Sequence, residues 1–398
     1  MENPLIHSDE ATELIRHHLP CFSTCSQPLV AATGQILREP IVTDREMPPF
    51  DRVTMDGYAF RLTDIEKAPD AFHVAGIAYA GHPAPVLPDE PGMCIEIMTG
   101  AILPEGADLV IPYEWTESRE DHSVCLNPPE AIRPRQCIHT RGSDAQQGAV
   151  LVESGRRIGS REAAIAASCG YTELTCAKAP RIGIVTTGDE LVDPSATPLA
   201  HEIRRSNDCA IEAALKAMGL PVSARMHLLD QHAPEVLTDF AAEVDLLIIT
   251  GGVSKGKRDH MPETIAHLGL PRIFHGIAQR PGKPMGFWAG EQQAVFALPG
   301  NPLSTLVCLH RYVIPGILER MGFRANDRLV QLQEDVAFKP ALTCFNSVKL
   351  LPDGGAVPQS ANTSGDFISI MQGDGFVELP IGQDHYAAGT WVRFIPWL

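Results

Sequence analysis

Apolar residues occur in two regimes along this chain. In the first, Ile182-Gly183-Ile184-Val185 and Leu246-Leu247-Ile248-Ile249 are unbroken runs, as expected of strands covered on both faces of a parallel sheet. Between and after them, apolar positions recur at helical spacing over residues 208–218, 233–242, 262–268 and 302–321. Strand alternating with helix across short links predicts a doubly wound α/β domain over residues 180–323, entered after Pro180. In the second regime the runs are short and cut by Pro and Gly. Phe72-His73-Val74 and Cys94-Ile95-Glu96-Ile97-Met98 are examples, and they predict a β-rich part at about 45–140 inside an N-terminal and linker region spanning 1–179. That region opens with a helix over 8–19, with Ser8 as cap, Asp9 and Glu10 in the first turn and Pro20 as the stop. Residues 324–398 lose the helical signal and carry strand runs at 329–332, 347–350 and 391–394, which predict a small closing β domain. The fold class is α/β plus β, multidomain.

Length agrees with this division, since 398 residues exceed what one hydrophobic core usually supports. A net charge of −17 argues against nucleic acid or an anionic membrane surface as the main partner. No apolar stretch approaches the roughly 20 residues that span a bilayer, and no export signal is evident, so a cytoplasmic location is expected. None of the ten cysteines forms a pair with the two-residue gap of zinc or redox sites, and the nearest pair, Cys21 and Cys25, reads as buried thiols. The acidic balance has one local exception between 250 and 285, where Lys255, Lys257, Arg258, Arg272, Arg280 and Lys283 face only Asp259 and Glu263.

Ligands of open α/β sheets sit beyond the carboxyl ends of the strands, where helix N-termini present free N–H groups. Five distinctive loops fall there: Thr187-Gly188-Asp189-Glu190, Arg204-Arg205-Ser206-Asn207, the stretch from Gly251-Gly252-Val253-Ser254-Lys255 to Asp259, Arg280-Pro281-Gly282-Lys283-Pro284 and Pro299-Gly300-Asn301-Pro302. Singly, each reads as well as a tight turn or a helix start. Together they predict a site for a phosphate-bearing small molecule, with Ser206 or Asn207 capping a helix while Arg204 and Arg205 face an anion. Gly251 to Lys257 nearly matches a nucleotide-binding P-loop, but Arg258 stands where that loop needs a hydroxyl for magnesium. Asp189, Glu190 and Asp259 are the hard oxygen donors that suit magnesium on phosphate oxygens, and helix capping is the competing reading of Asp189 and Asp259. In the β-rich region, Asp56-Gly57 and Thr99-Gly100 read by spacing alone as turns.

Taken in order, Met55-Asp56-Gly57-Tyr58-Ala59, Met98-Thr99-Gly100-Ala101, Gly142-Ser143-Asp144, Thr187-Gly188-Asp189-Glu190-Leu191, Ser206-Asn207, Gly251-Gly252-Val253-Ser254 with Asp259, Pro281-Gly282-Lys283-Pro284 and Leu298-Pro299-Gly300-Asn301-Pro302 resemble the molybdopterin molybdenumtransferase family, the MoeA-type insertases, and the C-terminal part of gephyrin. The resemblance spans nearly the whole chain. It implies a molybdopterin-binding α/β domain and a barrel-like C-terminal domain. It also implies an enzyme that inserts molybdate into adenylylated molybdopterin with Mg2+ and releases AMP. A homodimer follows from it, with the site between the α/β domain of one subunit and the β-rich domain of the other, and molybdopterin adenylyltransferase is a candidate partner.

By position the resemblance assigns Asp189, Glu190, Asp230 and Asp259 to metal binding. It assigns Thr187, Gly188, Ser206, Asn207, Gly251, Gly252, Ser254, Lys255, Arg280, Pro299 and Pro302 to the pterin nucleotide. Catalysis falls to Glu190, Asp259, Lys283, Asp56, Thr99 and Asp144. The chain departs from the family at Gly276 and Arg280, where lysines are frequent, and at His139-Thr140-Arg141, where arginines run together. Two alternatives stay open: a molybdopterin adenylyltransferase, which shares the α/β fold but lacks the flanking domains, and a catalytically weak molybdopterin-binding or scaffold paralogue.

Overall fold

The computed structural model describes residues 5–67, 70–230, 234–253, 261–359 and 368–397. Ser254, Lys255 and Asp259, three of the expected site residues, lie outside the described residues. The chain forms two compact units, one of residues 1–39, 154–160 and 173–398, the other of residues 40–153 and 161–172.

The α/β domain of the first unit is built on six strands, β1 (Ile182–Thr187), β2 (Val222–Leu228), β3 (Leu246–Thr250), β4 (Arg272–His275), β5 (Gly286–Ala289) and β6 (Ala294–Leu298), in the order β2-β1-β3-β6-β5-β4. The first four are parallel, and β5 runs antiparallel to both β6 and β4. Helices cover both faces, which is why β1, β3, β5 and β6 are buried throughout, whereas the edge strands β2 and β4 carry exposed polar positions. Ile182, Ile184, Leu246, Ile248 and Phe296 share one core with Ile211, Leu215 and Val307. Val185, Leu247, Ile249 and Val295, the alternate positions, share another with Leu237, Phe240 and Ile265.

The helices that meet these faces are α1 (Ser8–His18), α2 (Asn207–Ala217), α3 (Pro234–Ala242), α4 (Met261–Ala266), α5 (Pro302–Cys308) and α6 (Ile314–Arg320). A π-helical turn, Leu309–Val313, joins α5 to α6 where one uninterrupted helix is expected from the periodicity. Pro315 is the physical reason, since its ring would collide with the carbonyl one turn back in a regular α-helix.

Helix α1 lays Ala11, Ile15 and Leu19 into the first core. Gly316 makes room for it, because a Cβ there would fall 2.7 Å from Ile15 Cγ2. Ser8 is not the cap expected of it. It is the first helical residue, buried, with its hydroxyl 3.3 Å from that of Thr343, and His7 occupies the cap position. Cys21 and Cys25 also differ from expectation, being exposed and half-buried. Cys25 belongs to strand Thr24–Pro28, which pairs antiparallel with Glu173–Ala177.

The C-terminal strands Arg328–Leu332, Thr343–Leu350, Gly355–Pro358, Gly375–Leu379 and Trp391–Pro396 close into a five-stranded barrel, because Thr343–Leu350 pairs with both Gly355–Pro358 and Gly375–Leu379. Val330, Leu332, Val348, Val377 and Phe394 fill it. Closure leaves few free backbone edges, and Gln279–Arg280 from the α/β domain adds beside Thr343–Cys344. Arg311 of the π turn fastens the parts of this unit, donating to both carboxylate oxygens of Glu378 at 2.9 and 3.1 Å and to the Thr12 hydroxyl at 2.9 Å.

The second unit is organised by a six-stranded sheet, in which Gly57–Phe60 pairs with Met93–Ile97 on one side and Leu109–Pro112 on the other. Gly57 is required there, since a Cβ would lie 2.0 Å from the Ile111 carbonyl oxygen.

Candidate functional site

A cleft of about 460 Å3 opens at the carboxyl ends of β1, β2, β3 and β6, bounded by Thr186–Gly188 and Glu190, Arg204–Asn207, Asp230, Thr250–Val253 and Pro299–Pro302. Glycines let its loops approach. Gly251, at φ +97°, lies so near β1 that a Cβ would fall 2.6 Å from the Thr187 carbonyl oxygen and 2.7 Å from its hydroxyl. Gly188, at φ +141°, sits under the Glu190 carboxylate, which a Cβ would meet at 2.7 Å.

Asn207 fastens the cleft. Its amide donates to the Thr250 hydroxyl and to the Gly300 carbonyl, both at 2.9 Å, and the Thr250 hydroxyl donates onward to Pro299 O at 3.1 Å. Residues at the ends of β3 and β6 and the first turn of α2 are thus held together. Neither expected cap of α2 is used as one: Ser206 holds the cap position without a side-chain bond, and Asn207 is spent across the cleft. Asp189 accepts the Asp230 N–H at 2.8 Å, which joins the loops after β1 and β2. At the opening of α5, Pro302 occupies the first turn, where its missing N–H costs nothing.

Arg204 and Arg205 both line the cleft. Arg205 also reaches Asp193 at 3.1 Å and lies 4.0 Å from Asp208, and Arg204 donates to Ala196 O at 3.1 Å. Three buried polar atoms on lining residues find no partner among the described residues, the Thr187 hydroxyl, Asn301 Oδ1 and Arg205 Nε. An incomplete set of this kind marks a polar surface that can take a polar ligand.

Lys283 and Arg280 are exposed and are not among the residues that line the cleft, although Pro284 is. Their loop is held from beneath. Gln279, fully buried, donates to Pro281 O at 3.1 Å and accepts from the Tyr312 hydroxyl, and a Cβ on Gly282 would meet Cys308 Sγ at 2.5 Å. Gly276 has φ +100°, and a Cβ there would lie 2.8 Å from Leu5 Cδ2, so this backbone does not suit a lysine.

Asp56, Thr99 and Asp144 belong to the second unit. Asp56 Oδ1 accepts the Thr99 N–H at 2.6 Å and its hydroxyl at 2.7 Å, and these bonds hold the Asp56 carboxyl below the usual carboxylate range. Asp144 lies 2.7 Å from His139 Nε2, and Arg52 donates to His139 Nδ1 at 3.1 Å. Because Arg52 can only donate, Nδ1 accepts and the neutral ring carries its proton on Nε2, toward Asp144. The strand pair Arg52–Val53 and Ile138–His139 places Arg52 and His139 side by side.

Sequence reasoning gave no role to Thr250, placed Asn301 in a site loop without a task, and did not link Arg52 and His139 to Asp144. The only signal for Thr250 was a hydroxyl ending an apolar strand. The partners in the others are set by strand pairing and loop packing, which no local pattern records.

Among the described residues no group of three or more His, Cys, Asp or Glu side chains is arranged to hold a metal ion. Glu190 and Asp230 line the cleft, and Asp189 has one oxygen engaged. This donor set fits an ion that takes one or two carboxylates and completes its shell with water and substrate phosphates, as magnesium does, and does not fit an all-protein cage.

A doubly wound α/β domain with a glycine-walled cleft at its strand ends and a closed barrel in one unit, with a β-rich sheet in the other, defines the class of a multidomain protein with a polar small-molecule site. Residues 183–319 match the family described as a probable molybdopterin binding domain, residues 6–170 the MoeA N-terminal region (domain I and II), and residues 330–397 the MoeA C-terminal region (domain IV). The chain is 38% identical over 395 residues to the molybdopterin molybdenumtransferase of Synechocystis, covering 97% of this chain and 98% of the relative. It is 32% identical over 375 residues to that of Synechococcus elongatus, covering 91% and 92%. A solved structure titled as the molybdopterin biosynthesis MoeA protein from Pyrococcus horikoshii superposes with a TM-score of 0.82 at 28% identity, covering 99% of this chain and 100% of that one. The chain belongs to the MoeA-type molybdopterin molybdenumtransferase family.

Proposed function

We propose that the cleft binds adenylylated molybdopterin and that the chain transfers molybdenum from molybdate to its dithiolene with release of AMP. Family membership makes the chain a transferase of molybdenum cofactor biosynthesis. The observation that carries the site assignment is the convergence of Gly188, Gly251, Asn207 and the openings of α2 and α5 at one end of the parallel sheet. Free backbone N–H groups and helix dipoles there favour phosphate oxygens. Breaking a phosphoanhydride needs alignment and charge neutralisation more than covalent chemistry.

In this reading Thr187, Ser206, Gly252, Pro299 and Pro302 bound the pterin nucleotide, and Ser254 is a further contact that the family resemblance assigns. Arg204 and Arg205 supply positive charge from the wall, and Lys255, Arg280 and Lys283 are the further cations that the family resemblance assigns to the site. Asp189, Glu190, Asp230 and Asp259 would hold Mg2+, which when bound neutralises phosphate oxygens and polarises the phosphorus centre. Glu190, poised over Gly188, orients the reacting groups. Asp56, Thr99 and Asp144 would come from the second subunit of a cytoplasmic homodimer, and molybdopterin adenylyltransferase would supply the substrate.

The test is AMP release from adenylylated molybdopterin with molybdate and magnesium. Wild-type protein should release AMP and form molybdenum cofactor, and Glu190→Ala should lose both by about 100-fold or more, the range seen when one preorganised group is removed from a dry site. Absence of AMP release by the wild type would overturn the assignment.

A further inference from the structure

A second cavity, of about 660 Å3, opens at the opposite end of the same sheet. Its wall includes Ala177–Ala179 just before β1, Lys216–Gly219 at the end of α2 and Pro221 just before β2. It therefore faces the amino ends of strands whose carboxyl ends form the cleft. Arg157, Lys178 and Lys216 line it, and no Asp or Glu does. In a chain of net charge −17, three cations around one cavity without an acid call for an explanation.

Part of the explanation is structural. Arg157 Nη1 donates to Gly34 O at 2.7 Å and to Met218 O at 3.2 Å, so it caps the carbonyl end of α2, and Lys216 suits the dipole of that helix end. The Arg157 guanidinium also lies over the Phe323 ring, 5.4 Å from its centroid, but no carboxylate among the described residues meets it. Arg157 Nη2 is buried with no hydrogen-bond partner, and Arg157 makes no ion pair among the described residues. Arg311 meets Glu378, Arg205 meets Asp193 and Arg61 meets Asp64, whereas Arg38 and Arg320, half-buried like Arg157, also meet no carboxylate among the described residues but do not line a cavity with two further cations. A half-buried guanidinium that meets two carbonyls and an aromatic face but no anion bears a desolvation cost, which lowers the Arg157 pKa, and an anionic ligand would offset that cost.

Thr33 and Gln35 add polar groups to the wall, and Ile36, Met218 and Met321 add an apolar side. The size falls within the range of small-molecule sites. We propose that this cavity binds a small phosphate monoester, its phosphate held by Lys178 and Lys216 over the field of Arg157 and its organic part laid on the apolar side. The assignment is independent of the chemistry at the cleft.

The experiment is calorimetric titration of the full-length protein with AMP, the probe phosphate monoester, and with inorganic phosphate. Three proteins are compared: wild type, K178Q/K216Q, and Asn207→Ala, which alters the cleft alone. Both lysines are exposed, so the double variant should keep the wild-type melting temperature. The expected result is an AMP site that weakens about tenfold or more in K178Q/K216Q, the loss of roughly one charge-assisted contact, and persists in Asn207→Ala. AMP should bind there more tightly than inorganic phosphate. Binding untouched by the lysine changes, binding lost only in Asn207→Ala, or no binding of either probe overturns the proposal. Equal affinity for AMP and phosphate overturns the organic half of the ligand.

Discussion

Asn207 shows how much of the cleft hangs on one side chain. Its two amide bonds hold the loops after β3 and β6, and either partner left buried and unpaired costs about 1–3 kcal/mol. Asn207→Ala should therefore raise the KM for the adenylylated substrate about tenfold or more, with a small fall in melting temperature. Steady-state kinetics beside thermal unfolding separates this from a global loss of fold, in which activity would fall in step with stability. From sequence, Asn207 had the right location and the wrong task. Asparagine before a helix is a favoured cap, and only the packing of three remote loops made it a cross-link. Asp144 was named for the site by family resemblance alone, and its link through His139 to Arg52 depends on a strand pairing that spacing does not encode.

At the scale of elements, the unbroken apolar runs of β1 and β3 were readable because burial on both faces removes the need for polar positions. Strands β5 and β6 were not singled out. They are short, set among Gly, Gln and Ala, and lack a run long enough to distinguish strand from helix. The π turn was equally hidden, though Pro315 held the clue. That turn carries Tyr312, whose hydroxyl holds Gln279 under the Arg280–Lys283 loop. Tyr312→Phe should strand the Gln279 carbonyl oxygen and cost about 1–3 kcal/mol, measured by chemical denaturation. The same turn carries His310, buried and edge-on to Trp397, whose pKa burial pushes below its ordinary 6.5. The folded state then prefers the neutral ring. Its contribution is complete above pH 6.5 and is lost as pH falls toward the lower folded value. Denaturation between pH 7 and pH 5 should show wild type losing stability over that interval, and His310→Gln should flatten that part of the profile.

For the whole molecule, the buried pair of Arg311 and Glu378 ties α1, the α/β domain and the barrel into one unit. Glu378→Leu leaves Arg311 buried with only Asp9 at 3.5 Å as a carboxylate, and should destabilise by roughly 3 kcal/mol, read as a lowered denaturation midpoint. A change confined to barrel unfolding would show that the pair matters only locally.

The path of the chain has a consequence for synthesis. Strand Thr24–Pro28 waits for Glu173–Ala177, and α1 waits for Gly316, so both are synthesised well before the segments that hold them in place. Until then Ala11 and Ile15 have no core to enter. A chain released early, before α6 is made, would display that apolar helix face to chaperones and proteases, which gives the cell a means of telling unfinished copies from finished ones.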